Sequence, residues 1–478
     1  MRPDSQSVAQ LDDGRSRWEF PVDVRPLMAC LIFIAVKLAT LDYRFGDGNA
    51  YLYDAYLLTQ GALPYRDFLH ADFPIQIGIL AFLRPFFTNW VMGYHLVPVV
   101  AEAITAYLLF LILKRRGNAF AWLAPVAHLW TFTVLSTSDF ITGVQITTLF
   151  TVFGWYLYDL GYTKITGVAF ALSFLTKMYT LPAAAVFGIL DLWHRRFRRA
   201  LQLLAGTLTT VAVVVIPLLV VTYEPMLEQT FWLHFKRPAG LDKHEILRFF
   251  LAKEWALVTL AIPGLWMARK EAQAWSFVVT ALFFLLFRDL YFVYLDFFMP
   301  FLVIFSLSAL DFLWHKKGNF RLFAAGGIAT LAIGNVVSDY SYFNYFQKLG
   351  HFSNAQDVAS AVKELPDKFD LYGSHEVTPL VALLSGRNIF HNHADTNTQA
   401  FAAGTLDRAQ LSEAAVRAGI YLIARITHLP EQGYLDVGYQ GYFSPERMQD
   451  SCKRVLTFPS TSNEIDNQIV VYRCKNQG

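Results

Sequence analysis

Eleven apolar stretches, most of them near membrane-crossing length and divided by charged or Pro/Gly-marked breaks, decide what this chain can fold into. A bilayer core asks for roughly 20 apolar residues per helix. The stretches are 26–42, 93–113, 119–136, 142–160, 165–176, 179–193, 201–222, 251–268, 274–287, 291–313 and 321–338. Two of them, 165–176 and 274–287, are short and cross only with tilt or with flanking residues. A further apolar run, 74–88, is too short and Pro-bounded to cross. With 55% hydrophobic and 16% charged residues in 478, the chain carries more apolar surface than a water-facing protein can hide. The expected architecture is therefore an α-helical polytopic membrane protein. A net charge of +2 excludes the basic field that nucleic-acid binding needs, and 3 cysteines exclude a disulfide-dense scaffold or a cysteine metal cage.

Lys114, Arg115 and Arg116, then Lys164, then Arg195, Arg196, Arg198 and Arg199, then Arg269 and Lys270, then Lys316, Lys317 and Arg321 fall in alternate short loops. The positive-inside rule makes those loops cytoplasmic. It follows that the polar 1–25 tail is cytoplasmic, and that 43–92, 223–250 and everything after 339 lie outside. The first span is not followed by a small-residue cleavage site and reads as uncleaved.

From about 351 to 478 the apolar runs shrink to strand length and alternate with amphipathic helical stretches, which predicts a small α/β domain outside the membrane. Strands are expected at 369–373, 388–390, 420–424, 455–458 and 469–473, and helices near 354–364, 375–385 and 407–417. In an oxidising compartment Cys452 and Cys474 can pair; the alternative is two unrelated thiols. Cys30 lies in a span and reads as packing.

The 43–92 loop is rich in chemistry. Asp47 precedes a helical pattern that ends near Gly61 and sets Asp47, Tyr51 and Asp54 on one face. Leu52, Ala55 and Leu58 on the other side suit a helix lying along a membrane surface. A carboxylate at the bilayer edge can act as a general base, although for Asp47 taken alone a helix cap is the favoured reading, which the neighbouring charges then shift. Asp139 stands at the next outer turn, Lys177 opens the following one, and His234, Lys236 and Arg237 lie in 223–250. Together these provide carboxylates to activate a nucleophile and cations to hold a phosphate. For Lys177 the competing reading is a snorkelling helix-end charge, and for Arg288 and Asp289 that reading is the favoured one. Asp67, His70 and Asp72 offer three metal-type donors in six residues without matching a standard motif, and loop-ordering hydrogen bonds are the favoured reading of them. His391, His393 and Asp395 repeat that ambiguity. The sequence has no P-loop, no dinucleotide glycine fingerprint and no serine-hydrolase motif.

The first span and the run Gly46, Asp47, Tyr51, Ala55, then Gly61, Pro64, Tyr65, Arg66 and Asp67, then Phe73 and Pro74, resemble the C-type (GT-C) membrane glycosyltransferases. That group includes the protein O-mannosyltransferases and the aminoarabinose transferases that modify lipid A. The Gly167–Pro182 stretch, with Lys177 near its end, is similar to that family's Gly-rich helix. The resemblance implies an inverting transfer of a sugar from a polyprenyl-phosphate donor to an envelope glycan, glycolipid or protein on the outer face of a bacterial inner membrane. It implies Asp47 as catalytic carboxylate and Asp139 as its second acidic partner. Tyr51, Asp54, Tyr65, Arg66, Asp67, Lys177, His234 and Arg237 would then bind substrate. No cofactor is assigned; a divalent metal stays open from the Asp67, His70 and Asp72 donors alone. The chain departs from many members in having Asp47 followed by Gly48 where they carry adjacent acids. The rival class is a transporter or flippase for lipid-linked sugars; such proteins place ionisable groups near the midplane and often repeat their halves, whereas here the charges gather at the outer ends and the halves do not match.

Overall fold

Asp23 starts the first helix by accepting the Arg25 N–H, and Val24–Thr40 follows as a continuous apolar segment broken only by Lys37. The computed structural model describes residues 23–238, 240–288, 290–316, 318–348, 354–429, 433–435, 439–459 and 467–475. The tail before residue 23, Asp289 and Lys317 lie outside them. Among the described residues four helices, not eleven, are long and apolar enough to cross a membrane: Trp90–Arg115, Phe197–Lys236, Phe292–His315 and Phe320–Asn344. Shorter apolar helices, Thr163–Phe174, Met178–Trp193, Trp255–Met267 and Ala272–Leu286, pack among them.

The expected span 119–136 is not one helix. Pro125 and the turn at Trp130 divide it into Ala121–Leu123, Ala124–Leu129 and Phe132–Thr137. The Phe197–Lys236 element presents Val213 and Val220 outward, bends at Thr222 just before Pro225, and continues through a π-turn at Glu228–Trp232. That turn aims His234 at the 43–92 segment.

The interior is less uniformly apolar than the hydropathy pattern suggests. Glu102 and His128 are fully buried with Oε2 and Nε2 2.7 Å apart. Gln145 donates to Asp296 at 3.3 Å, and Glu254 accepts from the Thr133 N–H and hydroxyl. Ionisable side chains are thus present in the interior away from the helix ends, held in hydrogen-bonded pairs.

The C-terminal unit is a five-stranded sheet: β1 (Asp370–Gly373), β2 (Ile420–Leu429), β3 (Gly433–Leu435), β4 (Cys452–Phe458) and β5 (Asn467–Cys474). The order is β1-β2-β5-β4, with β3 on β2. β1 and β2 are parallel, and the other pairs are antiparallel. Residues 388–390 supply only a bridge, Leu371 to Ile389, and not a strand. Cys452 and Cys474 are register partners and are joined in a disulfide, while Cys30 is buried with its thiol on the Ala103 carbonyl. The helix expected at 375–385 begins only at Thr378. Residues 374–377 are instead the loop at the carboxyl end of β1.

Candidate active site

Asp47 stands directly before the Gly48–Thr59 helix, but its own backbone is already helical and its carboxylate caps nothing. Geometry therefore removes the capping alternative. The side chain is 52% exposed, and Oδ1 lies 3.0 Å from Nε2 of His375. The loop that carries it is fixed on two sides. The Gly46 N–H and the Asn49 amide both donate to the Glu376 carbonyl, at 3.2 and 2.7 Å. At Gly48 a Cβ would come within 3.0 Å of the Ile141 backbone nitrogen, so the loop after Asp139 can approach this closely only against glycine.

His375 is delivered by the end of β1. Gly373 has φ +148, and a Cβ there would sit 2.0 Å from the Ile423 carbonyl oxygen, so the strand leaves the sheet through a position only glycine fills. Next to His375, Glu376 forms an ion pair with Arg425 of β2. Burial disfavours charge on His375. The Asp47 hydrogen bond and charge, with the charges of Asp395 and Glu376, outweigh that and hold the imidazole up at about 9. Burial likewise works against the Asp47 carboxylate, but the His375 hydrogen bond and charge, with Arg425 and Lys177, bring it below the usual range.

These shifts set a stability window. The His375 contribution is complete below its unfolded value of about 6.5 and is lost as pH rises through about 9. The Asp47 contribution is present above about 3.8 and is lost as pH falls through its lower folded value. Thermal melts of the detergent-solubilised protein should therefore show a difference between wild type and His375→Ala that is steady near pH 5 to 6.5 and fades towards about pH 9. Parallel curves across that range would contradict the assignment.

A second cluster lies behind Asp47. Tyr51 Oη donates to Asp72 Oδ2 at 2.6 Å, and Lys177 Nζ donates to Asp72 Oδ2 at 2.6 Å and to Tyr51 Oη at 3.0 Å. Burial would raise the Asp72 carboxyl, but the charges of Lys177, His234 and His70 and the Lys177 hydrogen bond hold it far below the usual range. Tyr65, in the left-handed region at φ +70, donates its hydroxyl to the Asp72 carbonyl at 2.8 Å. His234 Nε2 lies 2.8 Å from the Ala71 carbonyl oxygen. Arg237 is within electrostatic reach of Tyr294, Asp395, Asp72 and Tyr51. Lys177, His234 and Arg237 thus all lie within electrostatic reach of Asp72, although they come from two separate parts of the chain.

Other expectations are corrected. Asp54 is buried and does not share an open face with Asp47: its Oδ2 meets His70 Nδ1 at 2.8 Å. Burial, opposed by His70, pushes Asp54 up to about 6. Leu52 and Ala55 are fully buried in the core shared with the Thr378–Ser385 helix, so the Gly48–Thr59 helix does not lie along a membrane surface. Asp67, His70 and Asp72 do not form a metal site: Asp67 accepts from Leu63 N–H and Arg66, His70 turns to Asp54, and Asp72 turns to Lys177. Arg66 points outward beside Asp67. Asp139 is buried between two cations, with Lys37 at 3.1 Å and Arg44 at 3.0 Å, and His95 lies against its carbonyl.

Among the described residues, Asp47, His375 and Glu376 form a trio whose donor atoms lie within 4.8 Å of one another. Two carboxylates and an imidazole suit a divalent transition metal. In this arrangement Arg425 already neutralises Glu376, and Asp47 keeps His375 protonated. Sequence reasoning passed over His375, Glu376, Arg425, Lys37 and Arg44. The available signal was Ser374, His375 and Glu376 at the end of a candidate strand, where a polar pair is better placed for a site than for a helix start.

No family model matches the chain, and no curated protein matches it. Among solved structures, ArnT from Cupriavidus metallidurans bound to undecaprenyl phosphate superposes with a TM-score of 0.63 at 13% identity, covering 94% of this chain and 97% of that one. The apo state of the same protein gives 0.58 at 13% identity, covering 92% and 97%. The chain therefore shares the fold of these ArnT structures along nearly its whole length.

Proposed function

We propose that this protein is a membrane glycosyltransferase that moves a sugar from a polyprenyl-phosphate donor to an envelope glycan, glycolipid or protein acceptor on the outer face of the membrane, with inversion. The observation that carries the reading is the Asp47 carboxylate: it does not cap its helix, it is half exposed, and it stands in front of a buried cationic cluster. With Oδ1 on His375, Oδ2 is available to take the acceptor's proton as the acceptor oxygen or nitrogen bonds to the anomeric carbon. The donor phosphate leaves with the bonding pair and needs charge stabilisation more than protonation. Lys177 has three N–H donors and spends two on Tyr51 and Asp72, which leaves one for a phosphate oxygen. Arg237 would supplement it, whereas His234, which burial and the Arg237 charge push down to about 4, spends its one N–H on the Ala71 carbonyl and would order the loop there. Asp139 would act from below, holding Lys37 and Arg44 and the loop against Gly48.

The fold shared with a protein bound to undecaprenyl phosphate supports the donor class. The Cys452–Cys474 disulfide supports an oxidising, extracytoplasmic location for the sheet. Sugar transfer by Asp47→Asn tests the chemistry. For sidedness, a cysteine introduced at Asn354 should react with an impermeant maleimide in intact spheroplasts; labelling only after lysis would reverse the orientation.

A further inference from the structure

The C-terminal sheet unit is fastened to the 43–72 segment at several points, most of them neutral hydrogen bonds with a backbone group on at least one side. The Ile389 N–H donates to Tyr53 Oη at 3.0 Å, Asn392 reaches the Asp67 carbonyl at 3.4 Å, and the Glu376 carbonyl takes Gly46 and Asn49. His375 differs from these. It places a titratable side chain on the half-exposed carboxylate of Asp47.

We propose that His375 is a positioning residue for Asp47, so that the C-terminal domain completes the transfer centre and is not a separate appendage. The inference rests on Asp47 being the base. A carboxylate 52% exposed has little packing to hold its side-chain torsions. One N–H donated to Oδ1 fixes its plane and presents Oδ2 to the acceptor, which is the geometry general-base transfer needs. His375 is in turn held from behind. Its neighbour Glu376 is paired with Arg425, and Thr396 donates its hydroxyl to the Gly373 carbonyl, locking the strand end from which the loop springs.

The charge arithmetic is compatible with a working base. A bare imidazolium would lower the proton affinity of Asp47. Asp395 and Glu376 share the positive charge of His375, while Arg425 and Lys177 act on Asp47 from further off. Asp47 thus stays ionised at neutral pH with a partner whose charge is partly spent elsewhere.

The test compares His375→Ala and His375→Gln in the full-length protein, using a polyprenyl-phosphate sugar and the native envelope acceptor fraction. In His375→Ala, kcat should fall about 10- to 100-fold while KM for the donor stays within about twofold. The acidic limb of the kcat–pH profile should move to higher pH, because Asp47 loses its adjacent cation. Glutamine, a neutral donor, should recover part of kcat and leave the limb displaced. Wild-type kcat and profile in His375→Ala, alongside an inactive Asp47→Asn, would overturn the positioning role and leave the base assignment standing. A fully active Asp47→Asn would remove both. If His375→Ala does not accumulate in membranes, His375→Gln decides alone: an undisplaced acidic limb overturns the proposal. Loss of wild-type transfer in EDTA, restored by Zn²⁺ or Mn²⁺, would also overturn it, in favour of a metal held by Asp47, His375 and Glu376.

Discussion

Asp47→Asn should reduce sugar transfer from a polyprenyl-phosphate donor by about 10²- to 10⁴-fold, the range expected when a general base is removed. The substitution keeps size and one acceptor oxygen, and His375 can still donate to that oxygen. The loop is fastened by the Gly46 and Asn49 contacts to the Glu376 carbonyl, which do not involve the Asp47 side chain. Membrane insertion and folding should therefore be retained, and the loss should fall on kcat with little change in donor KM. Size-exclusion chromatography with a radiolabelled-sugar transfer assay separates the two readouts. Transfer at the wild-type rate in a well-folded Asp47→Asn would end the base assignment.

Lys177→Met should have two large effects that a second substitution can separate. It leaves Asp72 buried with only the Tyr51 hydroxyl against it, and removing one partner of a buried ion pair costs on the order of 3–5 kcal/mol. It also removes an ammonium whose charge reaches Asp47, for which a loss of about 10²- to 10³-fold in kcat/KM is expected. The double variant Lys177→Met with Asp72→Asn no longer buries a lone charge, so it should recover most of the thermal stability. It should not recover transfer. A double variant that regains both would mean that Lys177 serves only to neutralise Asp72.

Hydropathy located the long apolar helices, because twenty-residue apolar runs have few other folds open to them, but among the described residues only four of the eleven expected spans are that long and apolar. It failed at 119–136, where Pro125 breaks a segment whose mean composition looks continuous. Composition also hid Glu102, His128 and Asp296, since isolated polar residues barely alter a long apolar window, and only packing shows that they face one another. Asp47 stood out by its place before a helix, but the choice between cap and base needed a side-chain direction. Asp139 was legible as an acid, while Lys37, which neutralises it, looked like an ordinary charge near a helix end. His375 was read as the start of a helix because the strand-end turn at Gly373 depends on a tertiary contact with Ile423, which no local pattern encodes.

The Asp47–His375 contact joins residues 328 positions apart. During synthesis, at ordinary rates of about 5–20 residues per second, the loop bearing Asp47 is complete tens of seconds before residue 375 is made. A nascent chain therefore carries the carboxylate without the imidazole while its helices are still being inserted. Transfer in this protein should begin late in its biogenesis, once the last quarter of the chain has folded back on the first.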